Sequence, residues 1–214
     1  MIVTDMVEVA KARYRISIDN EIAFVLYKGD LRLFGIETGA ELSGEKYDEI
    51  IHQVLPKRAK LRLMNLLQTR DYTEKQAREK LAQGHYPPEA IDAALEYVKS
   101  YGYINDVIYC KKYLEDRILH KSKRKLKQEL EQKGIGKDIF ESCYKEVVSE
   151  GRVMDEMTSD QIECAQIERL LLKKKYESEN ADYDTKQKMM QFLFRKGYSV
   201  QNIQKVMGEF DSFT

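Results

Sequence analysis

Two hydrophobic periods divide the chain. Tyr14, Ile16 and Ile18 alternate with polar neighbours, the alternation breaks at Asp19-Asn20-Glu21, and a second run follows from Ile22 to Tyr27. Alternation on both sides of such a break predicts a β-hairpin. Gly29-Asp30 closes it, Leu31 to Phe34 reads as a short helical turn ended by Gly35, and Gly39 marks a second bend. Ser43 is placed to cap a helix from about Gly44 to Val54, and Pro56 is expected to stop it. From Lys57 onward the two-residue period vanishes. Apolar residues then recur three and four apart, as on one face of a helix.

Across this helical region a single pattern returns three times. With His85, Gly134 and Gly197 aligned as equivalent turn positions, Leu81, Leu130 and Leu193 fall in one column and Ala77, Leu126 and Met189 in another. Downstream, Ile91 matches Phe140 and Ile203, Leu95 matches Tyr144 and Met207, and Val98 matches Val147 and Phe210. Each copy has a further helix upstream, about Ala59 to Thr69, Asp106 to Leu119 and Ser159 to Tyr176. Start signals agree: Thr73 with Gln76 forms a capping box, Asn105 can cap the second copy's first helix, and Ser199 the last helix. The expected organisation is an N-terminal β-hairpin and helix extension over 1–56, then three-helix repeats over 57–103, 104–150 and 157–214. Such short bundles bury little surface alone, so an all-α array of tandem repeats, elongated and curved, is expected, with neighbours stabilising one another.

Composition narrows the function. Gly (11) and Pro (3) are scarce while charged residues reach 34%, which suits amphipathic helices and disfavours long disordered linkers. Met1 to Ala10 carries Asp5 and Glu8 and no apolar core run, so no secretory signal is expected, and no stretch reaches the ~20 apolar residues of a membrane span. Cys110, Cys143 and Cys164 are far apart and lack metal-site spacing. A cytoplasmic protein without metal or cofactor is expected. His52, His85 and His120 stand apart from any second His, Cys or nucleophilic Ser, and the Gly134-Ile135-Gly136 turn is too short to cradle a phosphate. Nothing requires an enzyme.

Formal charge cancels, 36 basic against 36 acidic residues, so attraction to a polyanion must come from distribution. Lys111 to Lys137 holds ten basic and four acidic residues. At its centre, Lys121-Ser-Lys-Arg-Lys-Leu-Lys127 has five bases without an acid. On a helix Lys123 and Lys127 share one side with Arg124 beside them, while Leu126 and Leu130 face the core. A solvated face normally mixes charges, so Lys121, Lys123, Arg124, Lys125 and Lys127 are the candidate contacts to acidic protein or nucleic-acid backbone. Arg117, closing the preceding helix, could pair locally or reach outward. No aromatics sit within the run, which gives little support to stacking on single strands.

The segment Tyr101-Gly-Tyr-Ile-Asn-Asp-Val-Ile-Tyr-Cys-Lys-Lys-Tyr-Leu-Glu-Asp-Arg117, followed by Glu129-Leu-Glu-Gln-Lys-Gly-Ile135, resembles the signature of the RecX family. The resemblance covers most of the chain and is strongest between Leu61 and Val147. Physical chemistry gives the motif a structural use as well. Gly102 permits a positive φ, Tyr103 and Ile104 can pack over the joint, Asn105 or Asp106 can cap the next helix, Tyr109 and Tyr113 share a face, and Gly134 before Ile135 ends a helix. His120-Lys121-Ser122 stands where the family usually has an Arg/Lys-x-Gly turn. The resemblance implies a monomeric modulator in DNA repair, recombination and the SOS response. Such a protein lies in the groove of a RecA–DNA filament, spans more than one subunit, and inhibits strand exchange, ATP turnover or co-protease action. The alternative is a helical module that binds nucleic acid independently of RecA.

Overall fold

The computed structural model describes residues 1–149, 157–177 and 181–212, with side chains described as far as 208. They gather into two compact units, Met1–Asn105 and Asp106–Thr214.

The first unit begins with an antiparallel sheet of three strands, β1 (Val3–Ala10), β2 (Arg13–Ile18) and β3 (Glu21–Tyr27), in the order β1-β2-β3. The expected hairpin is β2–β3, and Asp19 and Asn20 both take left-handed φ (49° and 71°), as a tight two-residue turn demands. Strand β1 is an addition to the expected hairpin. Its alternation is broken by bulges after Val3 and Glu8, and Val7 and Val9 stay exposed on the outer edge, so its pattern is hard to tell from a loop. Helix α1 (Lys28–Phe34) ends on Gly35 in the left-handed region (φ 64°), and α2 (Gly44–Glu49) is capped by the Ser43 hydroxyl.

Pro56 does not stop the helix, contrary to expectation. A π-helical turn, Ile50–Val54, carries the chain into α3 (Leu55–Leu67), with the Leu55 amide donating to the Ile50 carbonyl. The wider turn moves the backbone where a proline ring would otherwise strike the carbonyl four residues back. Helices α4 (Glu74–Ala82) and α5 (Pro88–Ser100) complete the first three-helix repeat. Ile16, Ile18, Phe24 and Leu26 of the sheet share one core with Leu63, Leu81, Leu95 and Val98. Buried Asp30 accepts from Arg58 at 2.7 Å and from the Tyr27 amide at 3.2 Å, and Arg13 donates to the Gly84 carbonyl. The extension therefore closes the exposed side of repeat 1.

The second unit holds α6 (Asp106–Arg117), α7 (Lys123–Gln132) and α8 (Lys137–Ser149), then α9 (Ser159–Lys173), α10 (Tyr183–Arg195) and α11 (Val200–Ser212). The aligned turn positions agree in backbone: His85, Gly134 and Gly197 have φ of 59°, 95° and 92°. In each copy the next residue donates its amide back to the column leucine, Tyr86 to Leu81, Ile135 to Leu130 and Tyr198 to Leu193. This is a Schellman closure, which buries the apolar residue after the turn against the leucine. The other columns are buried too, except that Met189 is only partly covered and the Phe210 side chain lies outside the described residues. Among the described residues, no helix is long and apolar enough to cross a membrane.

Candidate functional site

Helix α7 is capped by Ser122, which accepts from the Lys125 amide, and Leu126 and Leu130 are fully buried, as their spacing predicts. Its cations, however, do not form one unopposed ridge. Lys121 meets Glu129 at 2.7 Å, Lys123 meets Glu141 at 2.7 Å, and Lys127 approaches Glu141 at 3.7 Å. Both glutamates are held below the usual carboxylate range. For Glu141 the Lys123 hydrogen bond is the main cause; for Glu129, burial opposes the shift and the hydrogen bonds from Lys121 and Tyr113 overcome it. The acids that balance the run stand beyond its end in the sequence, Glu141 on the following helix, so they are not evident from the run itself. Among the described residues, Arg124 and Lys125 have no carboxylate within ion-pair distance, and both are exposed.

These two face cations that sequence reasoning missed. The α10–α11 turn brings Arg195 and Lys196 beside the α6–α7 turn, and together with Lys121, Ser122, Lys125, Gln128, Phe192 and Tyr198 they line a cleft of about 550 Å³. Arg124 stands at its end, its guanidinium 5.9 Å from the exposed Phe194 ring. No acidic residue appears among the described residues lining the cleft. A signal was present, since Phe194-Arg195-Lys196-Gly197 repeats the Lys-Gly turn of Lys133-Gly134 in the same register.

The junction between repeats 2 and 3 is held by polar groups on both turns. The buried Ser122 hydroxyl donates to the Lys196 carbonyl at 2.7 Å. Gln166 of α9, also buried, donates to the carbonyls of Ile118 and Lys121, and Arg169 reaches the His120 ring at 3.1 Å. A Cβ on Gly197 would sit 2.7 Å from the Ser122 hydroxyl and 3.2 Å from the Arg124 Cβ. The His120-Lys121-Ser122 turn thus has its own locking device in Ser122.

Arg117 takes the local option. It lies over the Tyr113 ring at 4.3 Å and pairs with Asp116 at 3.4 Å. Tyr109 and Tyr113 stack at 6.3 Å, Lys133 caps both rings, and Tyr113 donates to Glu129. Burial, with the Glu129 bond next, pushes Tyr113 up to about 12. Of the joint residues, Gly102 adopts φ 73° and Ile104 is buried. Tyr103 is 56% exposed and its ring stacks on Tyr101, while the next residue but one after Gly102, Ile104, is the one that turns inward. Asp106 opens α6, and Gly134 before buried Ile135 ends α7.

Three family models match in succession: the first three-helix domain of RecX over 59–97, the second over 105–142 and the third over 161–207. The chain belongs to the RecX family. A protein named regulatory protein RecX from Caldanaerobacter subterraneus subsp. tengcongensis is 29% identical over 97% of this chain and 98% of its own. Another of the same name, from Clostridioides difficile, is 29% identical over 94% and 91%. Two crystal structures share the fold. The first, of regulatory protein RecX, has a TM-score of 0.59 at 21% identity, covering 97% of this chain and 98% of its own. The second, of RecX from Lactobacillus salivarius, scores 0.57 at 20% identity and covers 74% and 98%. The chain is thus a RecX-type regulatory protein built of three-helix repeats.

Proposed function

We propose that this RecX-family chain binds the RecA–DNA filament in its groove and restrains its recombinase, ATPase and co-protease activities. The observation that carries the reading is the cationic cleft of the second unit, where Arg124 and Lys125 of repeat 2 meet Arg195 and Lys196 of repeat 3. Repeated weak patches on a linked scaffold act at high effective concentration on a repeating target, and a filament is such a target.

DNA-dependent ATP hydrolysis by RecA on single-stranded DNA tests this at fixed salt. The wild-type chain is expected to lower the rate, and Arg124→Glu with Lys125→Glu to abolish most of the effect while helix content is retained. These residues are better probes than Lys123, whose removal would also strand Glu141. Undiminished inhibition by the double variant sinks the assigned site, and an unchanged rate with wild type sinks the reading. The alternative of independent nucleic-acid binding requires an affinity for bare DNA that drops steeply between two salt concentrations in a gel shift.

A further inference from the structure

The cationic cleft does not end at Phe194. On the other side of that ring a groove of about 320 Å³ runs between α10 and α11, lined by Gln187, Met190, Gln191, Phe194, Val200 and Ile203, with Arg195 at its rim. Gln187, Met190, Gln191 and Phe194 follow one another at helical spacing, so they present one stripe along α10. Phe194 is 50% exposed and Val200 47%, although both sit beside the buried core of repeat 3. Phe194 and Arg195 also line the depression around Arg124 and Gly197, which in turn shares Lys125, Gln128, Arg195 and Lys196 with the cleft. The surface is therefore one channel, apolar at one end and positively charged at the other.

We infer that this channel is the docking site for a short acidic segment of a protein partner, with apolar side chains seated between α10 and α11 and carboxylates placed against Arg124, Lys125, Arg195 and Lys196. The inference rests on the protein-partner reading above and names the chemistry that its cleft would recognise. Charge complementarity favours this occupant over a nucleic-acid strand. A continuous polyanion needs a track of unopposed cations, but Lys121, Lys123 and Lys127 are already paired with Glu129 and Glu141. The cations of the channel that make no contact ion pair among the described residues are confined to a patch of four, of which Lys125 acts on Glu129 only at longer range, and the surface then turns apolar. An acidic peptide with one or two large apolar anchors matches both ends, in the manner of a segment laid in a helical groove.

Fluorescence anisotropy with the full chain tests the inference without RecA. The probes are labelled twelve-residue peptides rich in Asp and Glu, carrying two phenylalanines at adjacent positions or spaced by three or four residues, their counterparts with serine in place of phenylalanine, and a fifteen-nucleotide thymidine strand. At least one phenylalanine peptide is expected to bind tenfold or more tightly than its serine counterpart. Arg195→Glu with Lys196→Glu should weaken it at least tenfold, and so should the charge-neutral Phe194→Gln; Val200→Gln provides a second apolar probe should Phe194→Gln lose helix content. If no phenylalanine peptide outperforms its serine counterpart, the inference falls. It falls equally if the thymidine strand binds and is lost in Phe194→Gln and in Arg195→Glu with Lys196→Glu, since the occupant is then nucleic acid. Loss of RecA inhibition in Arg124→Glu with Lys125→Glu, with no peptide bound, overturns this inference alone. Peptide binding with no effect on RecA overturns only the filament reading.

Discussion

Gly197 and Gly102 share a left-handed φ, 92° and 73°, but not their surroundings. A Cβ at Gly102 meets nothing within 4 Å, so Gly102→Ala carries only the conformational cost of an L residue there, about 1 kcal/mol. At Gly197 the same methyl would strike the Ser122 hydroxyl, which is fixed between the Lys125 amide and the Lys196 carbonyl, and would also press on Arg124. Gly197→Ala is expected to cost roughly 1 to 3 kcal/mol more than Gly102→Ala, through overpacking and a displaced cap. Urea unfolding of both variants checks this; equal losses would mean that the two turns do not approach so closely. The same contact shows why half of the site is hard to read from the chain. Arg124 and Lys125 advertise themselves in a run of bases, whereas Arg195 and Lys196 are two cations near the end of an ordinary amphipathic helix. They gain meaning only because a glycine lets their turn close on Ser122, a residue far away in the sequence and on another repeat.

Glu129 joins three pieces of repeat 2. From α7 it accepts the Tyr113 hydroxyl of α6 at 2.7 Å and the Lys121 ammonium of the intervening turn at 2.7 Å. Glu129→Gln keeps the shape but removes the charge, and is expected to cost about 1.5 to 3 kcal/mol near neutral pH, the range for a hydrogen bond to a charged group. Because the folded carboxylate titrates below its ordinary value of 4.5, its stabilisation is present above that value and is lost as pH falls through the lower folded value. The gap between wild type and Glu129→Gln should therefore shrink in urea unfolding as pH falls below the ordinary carboxylate value, and a gap that stays constant would refute the linkage. Elements of this kind are legible where the chain repeats itself. The register of Leu81, Leu130 and Leu193 gives the helices of all three copies, and the Thr73 and Ser199 caps give two of their starts. Legibility fails where one element borrows order from another. Strand β1 has mostly exposed side chains and depends on the backbone of β2, and the Pro56 break is absorbed by a π-turn that no local propensity announces.

Each unit completes its core with elements that the repeat pattern assigns elsewhere. In the first, the N-terminal sheet lies over repeat 1, and Ile16, Phe24 and Leu26 are as fully buried as Leu63 and Leu81. In the second, Ile162 of α9 belongs to the same core as Leu114, Leu126 and Phe140 of repeat 2. Tyr144 of α8 shares a hydrogen bond with Ser159, and Gln166 satisfies two carbonyls at the α6–α7 turn. Residues 106–149 alone would lose all of this and expose one face of a bundle already near the lower size limit for a stable core. Nearest-neighbour coupling then dominates over the intrinsic stability of a repeat, as in a short solenoid. A fragment of residues 106–214 is expected to unfold cooperatively in urea, monitored by circular dichroism, whereas 106–149 should show a broad, shallow change with little helix at room temperature. A sharp transition from 106–149 at the midpoint of the longer fragment would show that the repeat stands alone. The cationic cleft would then no longer depend on a repeat 3 that holds the α6–α7 turn in place. If the shorter fragment fails as expected, a substitution at Gln166 or Gly197 can weaken partner binding without touching a residue that faces the partner.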